Sequence, residues 1–247
     1  MMGTVKVERI GEVSLITIDN PPANAMDAPM LGKLLNEFET IALEAVTRAV
    51  ILTGTGPSFC AGADLKAKSG EALSAFGRLL SAVESSPVPV IAAINGWCIG
   101  GGFELALCCD IRIAAREAKF ACAGVNMGLM ASAYRLPRLI GISRAKAMLL
   151  TGSTFDASTM EHFGVTTQTE PLDELLVAAK SLAMRIASRA PLSVEATKRV
   201  ASRALDLDPA AMRELESLEL GPLRASQDHR EAVLAFREKR EPRFTRS

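Results

Sequence analysis

The 247-residue sequence has no excess of either charge, because 28 Lys and Arg residues are balanced by 28 Asp and Glu residues. A dedicated nucleic-acid binder normally carries a basic excess for phosphate contacts, so this balance argues against such a partner. Aromatic residues make up only 4% of the chain, yet 49% of it is apolar, enough to form a sizeable core. A disordered chain would have fewer apolar residues and a larger net charge, so the composition predicts a globular protein.

The chain also lacks the signs of a secreted or membrane protein. Its N-terminus has no apolar stretch of signal-peptide length. The five cysteines form no Cys-x-x-Cys pair, so we expect buried thiols and a cytoplasmic protein. Residues 85–103 carry no charge and approach the length of a membrane span, but prolines and three consecutive glycines interrupt them. This segment predicts a buried strand, a turn and a helix start, with no membrane partner.

Several catalytic motifs are missing as well. The sequence contains no phosphate-binding loop, no dinucleotide-binding glycine spacing and no Gly-x-Ser-x-Gly serine. Its two histidines, His162 and His229, have no partner at a metal-ligand spacing. We therefore expect neither a metal site nor a histidine-based triad.

Apolar periodicity divides the chain into a first part of alternating strands and helices and a mostly helical part after Arg144. In the first part the pattern predicts a hairpin around Gly11 and further strands and helices: strands 5–9, 13–19, 49–53, 88–94 and 111–114, and helices 29–46, 71–84 and 103–109. In the second part it predicts one weak strand, 165–169, among helices 144–151, 156–163, 172–189, 191–205, 209–219 and 222–239. No flexible linker separates the parts, so we expect them to pack together.

Two strand–loop–helix passages in the first part are rich in glycine and alanine. One is Phe59-Cys60-Ala61-Gly62-Ala63-Asp64-Leu65, and the other contains Gly100-Gly101-Gly102-Phe103-Glu104. Small residues let a ligand approach the backbone, and the first N–H groups of a helix have no intrahelical acceptor. Two such loops facing each other would offer two N–H donors to one oxygen, which is an oxyanion hole. Tight packing is the alternative interpretation of the glycines.

Residues 91–114, which include the second loop, resemble the signature of the enoyl-CoA hydratase/isomerase (crotonase) family, as do residues 59–65. Further similarities follow in the family's order over nearly the whole chain: 20–25, 118–120, 135–141, 150–152, 191–198 and 236–244. The resemblance implies an α/β fold, a crotonase-like spiral of ββα turns with a helical C-terminal region. We assign the spiral core to residues 1–190 and the helical, trimerising region to residues 191–247.

The resemblance also implies the chemistry of the site. Family members bind acyl-CoA thioesters and stabilise an enolate-like thioester oxygen, need no cofactor besides the coenzyme A of the substrate, and form homotrimers or hexamers. The two backbone donors map onto Ala63 and Gly101, and an acid/base glutamate maps onto Glu104. The coenzyme A pocket maps onto four residues: Ala23, Ala61, Leu65 and Lys66.

The second glutamate of the family's hydratases is absent from this sequence. Gly124 stands in its place, in the part of the substrate pocket formed by residues 120–134, which carry no charge. The loop that follows is also shorter than the family's. Ser132, Tyr134 and Asn126 are the candidates for a replacement polar group in this stretch.

Three functions fit this pattern. The hypothesis we adopt is an enzyme of the hydratase or isomerase type that works with Glu104 and the oxyanion pair. An isomerase needs one carboxylate to move a proton between carbons, so it tolerates the loss of the second better than a hydratase does. The alternatives are a family member that binds acyl-CoA without hydrating it, and another enolate-based reaction such as decarboxylation, C–C cleavage or thioester hydrolysis.

Overall fold

A computed structural model of the chain describes residues 3–64 and 70–247. The strands in these residues form two sheets, six in one and four in the other. In chain order they are β1 (Thr4–Ile10), β2 (Val13–Asp19), β3 (Ala49–Gly54), β4 (Ser58–Cys60), β5 (Val90–Ile94), β6 (Trp97–Ile99), β7 (Ile111–Ala115), β8 (Lys119–Ala121), β9 (Thr154–Asp156) and β10 (Gln168–Glu170).

The helices occupy the segments between and after these strands. They are α1 (Ala28–Leu43), α2 (Gly70–Glu84), α3 (Gly101–Cys108), α4 (Arg135–Ile140), α5 (Ile142–Thr151), α6 (Ala157–Phe163), α7 (Leu172–Ala187), α8 (Pro191–Ala201), α9 (Pro209–Ala225) and α10 (Gln227–Glu238). Several begin where a side-chain oxygen accepts a backbone N–H of the first turn: at Asp27, Asp156, Asp208 and Ser226.

The larger sheet has the strand order β1-β2-β3-β5-β7-β10, and the smaller sheet has the order β4-β6-β8-β9. The β1–β2 hairpin is antiparallel, while the other pairs of the larger sheet are parallel. In the smaller sheet β4, β6 and β8 are parallel, and β9 pairs with β8 in the antiparallel direction. Successive repeats therefore give one strand to each sheet before a helix, which is the spiral of ββα turns that we predicted.

The core lies around the central strands of the larger sheet. Residues 49–52 of β3 and 90–94 of β5 are fully buried, as expected for parallel strands covered on both faces. Helix α7 packs against β3, β5 and β7. The C-terminal region is joined to this core by Lys198, whose Nζ lies 2.7 Å from the Asp110 carboxylate and 3.0 Å from the Val88 carbonyl oxygen.

The predicted hairpin and the longer strands and helices of the first part are confirmed to within a few residues. Residues 85–103 contain β5, a bend at Gly96 and the beginning of α3, as predicted, together with the short strand β6, which was not predicted. Across the described residues, none of the helices combines the length and the apolar character that crossing a membrane requires. All five cysteines are buried and unpaired.

Other predictions were wrong in detail. The short strands of the smaller sheet were missed, because three residues are too few to show an alternating pattern. The weak strand predicted at 165–169 lies instead at 168–170. The sequence predicted that one helix ends at residue 219 and that the next begins at residue 222, since Gly221 and Pro222 normally end a helix. Helix α9 instead runs through Pro222, and Ser226 caps the next helix through a 3.0 Å bond from the His229 N–H.

Candidate active site

The two glycine loops touch each other through their backbones. A methyl group placed on Gly62 would lie 2.7 Å from Cα and 2.9 Å from N of Gly101, the first residue of α3. Gly62 also has a φ of +96°, which residues with a side chain rarely adopt. Glycine is therefore required here both by the backbone conformation and by the close approach of the two loops.

The N–H groups predicted to form the oxyanion hole flank this contact. Ala63 bridges to Met26, with Met26 N–H donating to Gly62 O and Asp64 N–H donating to Met26 O, both at 2.8 Å. In the part of the chain that the structure describes, neither the Ala63 N–H nor the Gly101 N–H donates a hydrogen bond to the protein. Two such donors on contacting loops are the arrangement that binding one negatively charged oxygen requires.

Of the residues predicted to form the coenzyme A pocket, the structure describes Ala23 and Ala61, and Ala61 is part of the first loop. The Ala61 N–H donates to the Ala23 carbonyl oxygen at 3.0 Å, so these two residues are neighbours. Asn24 secures this contact, because its buried side-chain amide donates to the carbonyl oxygens of Thr55 and Ser58 at 2.9 and 2.6 Å. The other two predicted residues, Leu65 and Lys66, lie outside the described residues.

Glu104 lies in the first turn of α3, one turn after Gly101. Arg135 Nη1 donates to its Oε1 at 2.6 Å, and the Ser132 hydroxyl donates to its Oε2. Only 12% of the Glu104 side chain is exposed. Because each carboxylate oxygen accepts a hydrogen bond, the orientation of the group is fixed.

Arg135 also binds a second carboxylate. Its Nε lies 3.0 Å from Glu84 Oε1 and its Nη2 lies 2.7 Å from Glu84 Oε2, which is a two-point ion pair. Hydrogen bonding to Glu84 raises the pKa of Arg135 above its ordinary value, although partial burial opposes this. Arg135 therefore keeps its positive charge against Glu104.

The backbone of the following loop lies against Gly124, the position that the resemblance predicted for a second glutamate. A methyl group on Gly124 would lie 3.1 Å from both Ala131 N and Leu129 O, and the Leu129 N–H donates to Gly124 O at 2.8 Å. A side chain at this position would have to push the loop away. The shorter loop and the glycine are therefore matched to each other.

Of the three polar residues predicted as replacements, Ser132 is the one that reaches Glu104. The Asn126 amide donates to the Gly152 carbonyl oxygen at 2.9 Å and so anchors the end of α5. Tyr134 is 60% exposed and stacks with Arg138, whose guanidinium carbon lies 4.8 Å from the ring centre.

The sequence did not assign a role to Arg135 or Glu84. Arg135 stands in the 135–141 similarity, so a motif marked it without indicating its partner. The sequence around Glu84 gave no indication of a role, because its bond to Arg135 joins residues 51 positions apart in the chain.

Comparisons with known proteins agree with this fold. A family model described as enoyl-CoA hydratase/isomerase matches residues 8–247. The chain is 36% identical over 250 residues to the enoyl-CoA isomerase/hydratase fer4 of Mycosarcoma maydis, covering 93% of this chain and 91% of that protein. It is 34% identical over 250 residues to the crotonyl-CoA hydratase of Syntrophomonas wolfei, covering 96% of each.

A solved structure gives the same result in three dimensions. The crystal structure of enoyl-CoA hydratase from Bacillus anthracis superposes with a TM-score of 0.95 at 35% identity, covering 99% of this chain and 100% of that one. The ββα spiral is therefore the crotonase fold, as predicted. With the family model and the relatives matching nearly end to end, the chain belongs to the enoyl-CoA hydratase/isomerase (crotonase) family of enzymes.

Proposed function

We propose that this protein is an enoyl-CoA hydratase, which adds water across the double bond of a short enoyl-CoA thioester. The N–H groups of Ala63 and Gly101 bind the thioester oxygen, and Glu104 moves the proton at the α-carbon. The observation that carries the proposal is the contact between the two glycine loops, with Glu104 held one helical turn beyond Gly101. Residues three apart on a helix lie on neighbouring positions of one face.

The oxyanion donors supply the larger part of the expected catalysis. An enolate forms when charge moves from the α-carbon onto the thioester oxygen, and two fixed N–H groups stabilise that charge. The positive end of α3 acts in the same direction, because Gly101 is its first residue. Removing one donor of such a pair typically costs about 2.7–4 kcal/mol of transition-state stabilisation.

The names of the relatives support the substrate class. The Syntrophomonas wolfei relative is a crotonyl-CoA hydratase, and the Mycosarcoma maydis relative is an isomerase/hydratase. A short enoyl-CoA is therefore the substrate we propose here, with its coenzyme A held by Ala23, Ala61, Leu65 and Lys66. We also propose a cytoplasmic location, which the five unpaired thiols support.

Hydration of crotonyl-CoA by the wild-type protein and by Glu104→Gln tests the proposal. The variant should lose about 10²–10⁴-fold in rate, the usual effect of removing an acid/base group. Glu37→Gln is the matched control, since Glu37 is also partly buried and paired with an arginine, Arg9, at 2.7 Å. Equal rates for Glu104→Gln and Glu37→Gln would contradict the role of Glu104.

Isomerisation of an enoyl-CoA double bond is the second candidate function, and the glycine at position 124 favours it. One carboxylate can carry a proton from one carbon to another, whereas hydration also needs a group that positions water. A 3-enoyl-CoA substrate distinguishes the hydratase from the isomerase function, because an isomerase forms the 2-enoyl product without hydrating it. Tight binding of acyl-CoA without turnover of either substrate would contradict both functions.

We further propose that residues 191–247 hold the protein together as a homotrimer or hexamer. In α9 no residue is buried, and Leu218 is 68% exposed, while Phe236 of α10 is 84% exposed. Apolar side chains exposed on neighbouring helices are typical of surfaces that pack against another copy. Light scattering should give three or six times the 26.2 kDa chain mass, and a monomer would contradict this proposal.

A further inference from the structure

Ser132 combines a rare backbone conformation with a buried side chain. Its φ is +58°, in the left-handed region that disfavours residues with a Cβ atom. It is only 4% exposed, and its hydroxyl donates to Glu104 Oε2. Glycine would suit this backbone better, so the presence of serine points to a use for the hydroxyl.

The loop that carries Ser132 also replaces the missing glutamate. Ala131, the preceding residue, packs against Gly124, the position at which the family's second carboxylate would begin. The Ser132 carbonyl oxygen accepts the Leu136 N–H at 3.1 Å and so joins the loop to α4. The backbone at Ser132 is therefore held from both sides, and the loop lies where a side chain at position 124 would otherwise begin.

A serine hydroxyl can donate one hydrogen bond and accept others. Since the Ser132 proton points to Glu104, the Oγ lone pairs can accept a hydrogen bond from water. Arg135 occupies the other oxygen of Glu104, so a proton that enters through Ser132 arrives at Oε2.

We propose that Ser132 is the second proton-handling residue of the site and relays a proton between the attacking water and Glu104. As the water oxygen bonds to the β-carbon, a water proton moves to Ser132 Oγ while the serine proton moves to Glu104 Oε2. Glu104 then gives that proton to the α-carbon. One O–H bond of water and the π bond of the enoyl C=C break, one C–O and one C–H bond form, and both side chains return to their starting state. This inference rests on the proposed hydratase function.

The experiment compares two reactions in Ser132→Ala and Ser132→Gly. One is the hydration of crotonyl-CoA, and the other is the exchange of the α-protons of butyryl-CoA in D₂O, which needs Glu104 and the oxyanion donors but no attacking water. Hydration should fall about 10²-fold or more in both variants, while exchange falls much less. Glycine suits the left-handed backbone, so Ser132→Gly separates loss of the hydroxyl from loss of stability.

Ser14→Ala is the matched control, because the Ser14 hydroxyl is buried without a hydrogen-bond partner in the described structure, on β2. Its hydration rate should equal that of the wild-type protein.

Unchanged hydration in both Ser132 variants, or an equal fall of hydration and exchange, would overturn the relay. A wild-type protein that performs neither reaction would contradict the hydratase function and the relay together. Hydration that is lost in Glu104→Gln but kept without Ser132 would contradict the relay alone.

Discussion

Arg135 and Glu104 form an ion pair with 2.6 Å between Nη1 and Oε1, and it joins the first residue of α4 to the first turn of α3. The same guanidinium binds Glu84, the last residue of α2. Three helices therefore meet at one charged group, near the glycine loop from which α3 begins. The position of the Glu104 carboxylate depends on all three.

Replacing Arg135 should impair catalysis more than folding. Arg135→Met removes the partner of Glu104 Oε1, so the carboxylate loses its fixed orientation and kcat should fall about 10²-fold. The free energy of unfolding should drop by about 1–3 kcal/mol, measured by urea denaturation. Arg138→Met is the control, because Arg138 pairs with Asp206 at 2.7 Å, away from Glu104. Equal kcat in the two variants would exclude a positioning role for Arg135.

The contact between the glycine loops gives a second prediction. Gly62→Ala would place a methyl group 2.7 Å from Gly101 Cα, so the loops must separate and hydration should fall about 10²–10³-fold, as when an oxyanion donor is lost. Gly11→Ala is the control, since Gly11 also has a positive φ of +58° but open space around its Cβ position. It should cost about 1–2 kcal/mol of stability and leave kcat unchanged. A fully active Gly62→Ala would contradict this use of the two loops.

Crowding at Gly124 gives a third prediction. Gly124→Ala should lower the free energy of unfolding by about 1–3 kcal/mol, because the added methyl group meets the loop backbone at 3.1 Å. It should also slow hydration, since the displaced loop carries Ser132. Gly32→Ala, in the interior of α1 with open space around it, should instead stabilise the protein by about 0.5–1 kcal/mol. Thermal unfolding and crotonyl-CoA hydration of both variants check this, and equal shifts in stability would refute it.

The buried thiols give a prediction on pH. Burial raises the pKa of Cys109 to about 12, whereas the thiol of an unfolded chain ionises near 9.0. Above pH 9 the unfolded state releases this proton and the folded state retains it. Stability should therefore fall between pH 9 and 12, by up to about 1.4 kcal/mol per pH unit for this group. Urea unfolding should show a shallower decline in Cys109→Ala than in the wild-type protein, and identical slopes would contradict the burial of this thiol in its neutral form.

Local features of the site were predictable from the sequence, because their signals lie within a few residues. The glycines of both loops and Glu104 stand in two short segments, and the apolar runs of β3 and β5 identify the buried strands around them. Gly124 was selected only through the resemblance to the family. These predictions needed no knowledge of the tertiary structure.

Long-range contacts were not predictable in the same way. The bond between Arg135 and Glu84 depends on the packing of α2 against the rest of the site, and the apolar periodicity of the sequence does not predict such packing. Ser132 was one of three candidates, and its left-handed backbone, set by the loop that covers Gly124, decides where its hydroxyl points. The strands of the smaller sheet were too short to give a pattern.

A crystal structure with butyryl-CoA bound tests the central claim most directly. We expect the thioester oxygen to lie about 2.7–3.1 Å from the backbone nitrogens of both Ala63 and Gly101, with the α-carbon facing the Glu104 carboxylate. A thioester oxygen bound away from these two nitrogens, or an α-carbon out of reach of Glu104, would contradict the account.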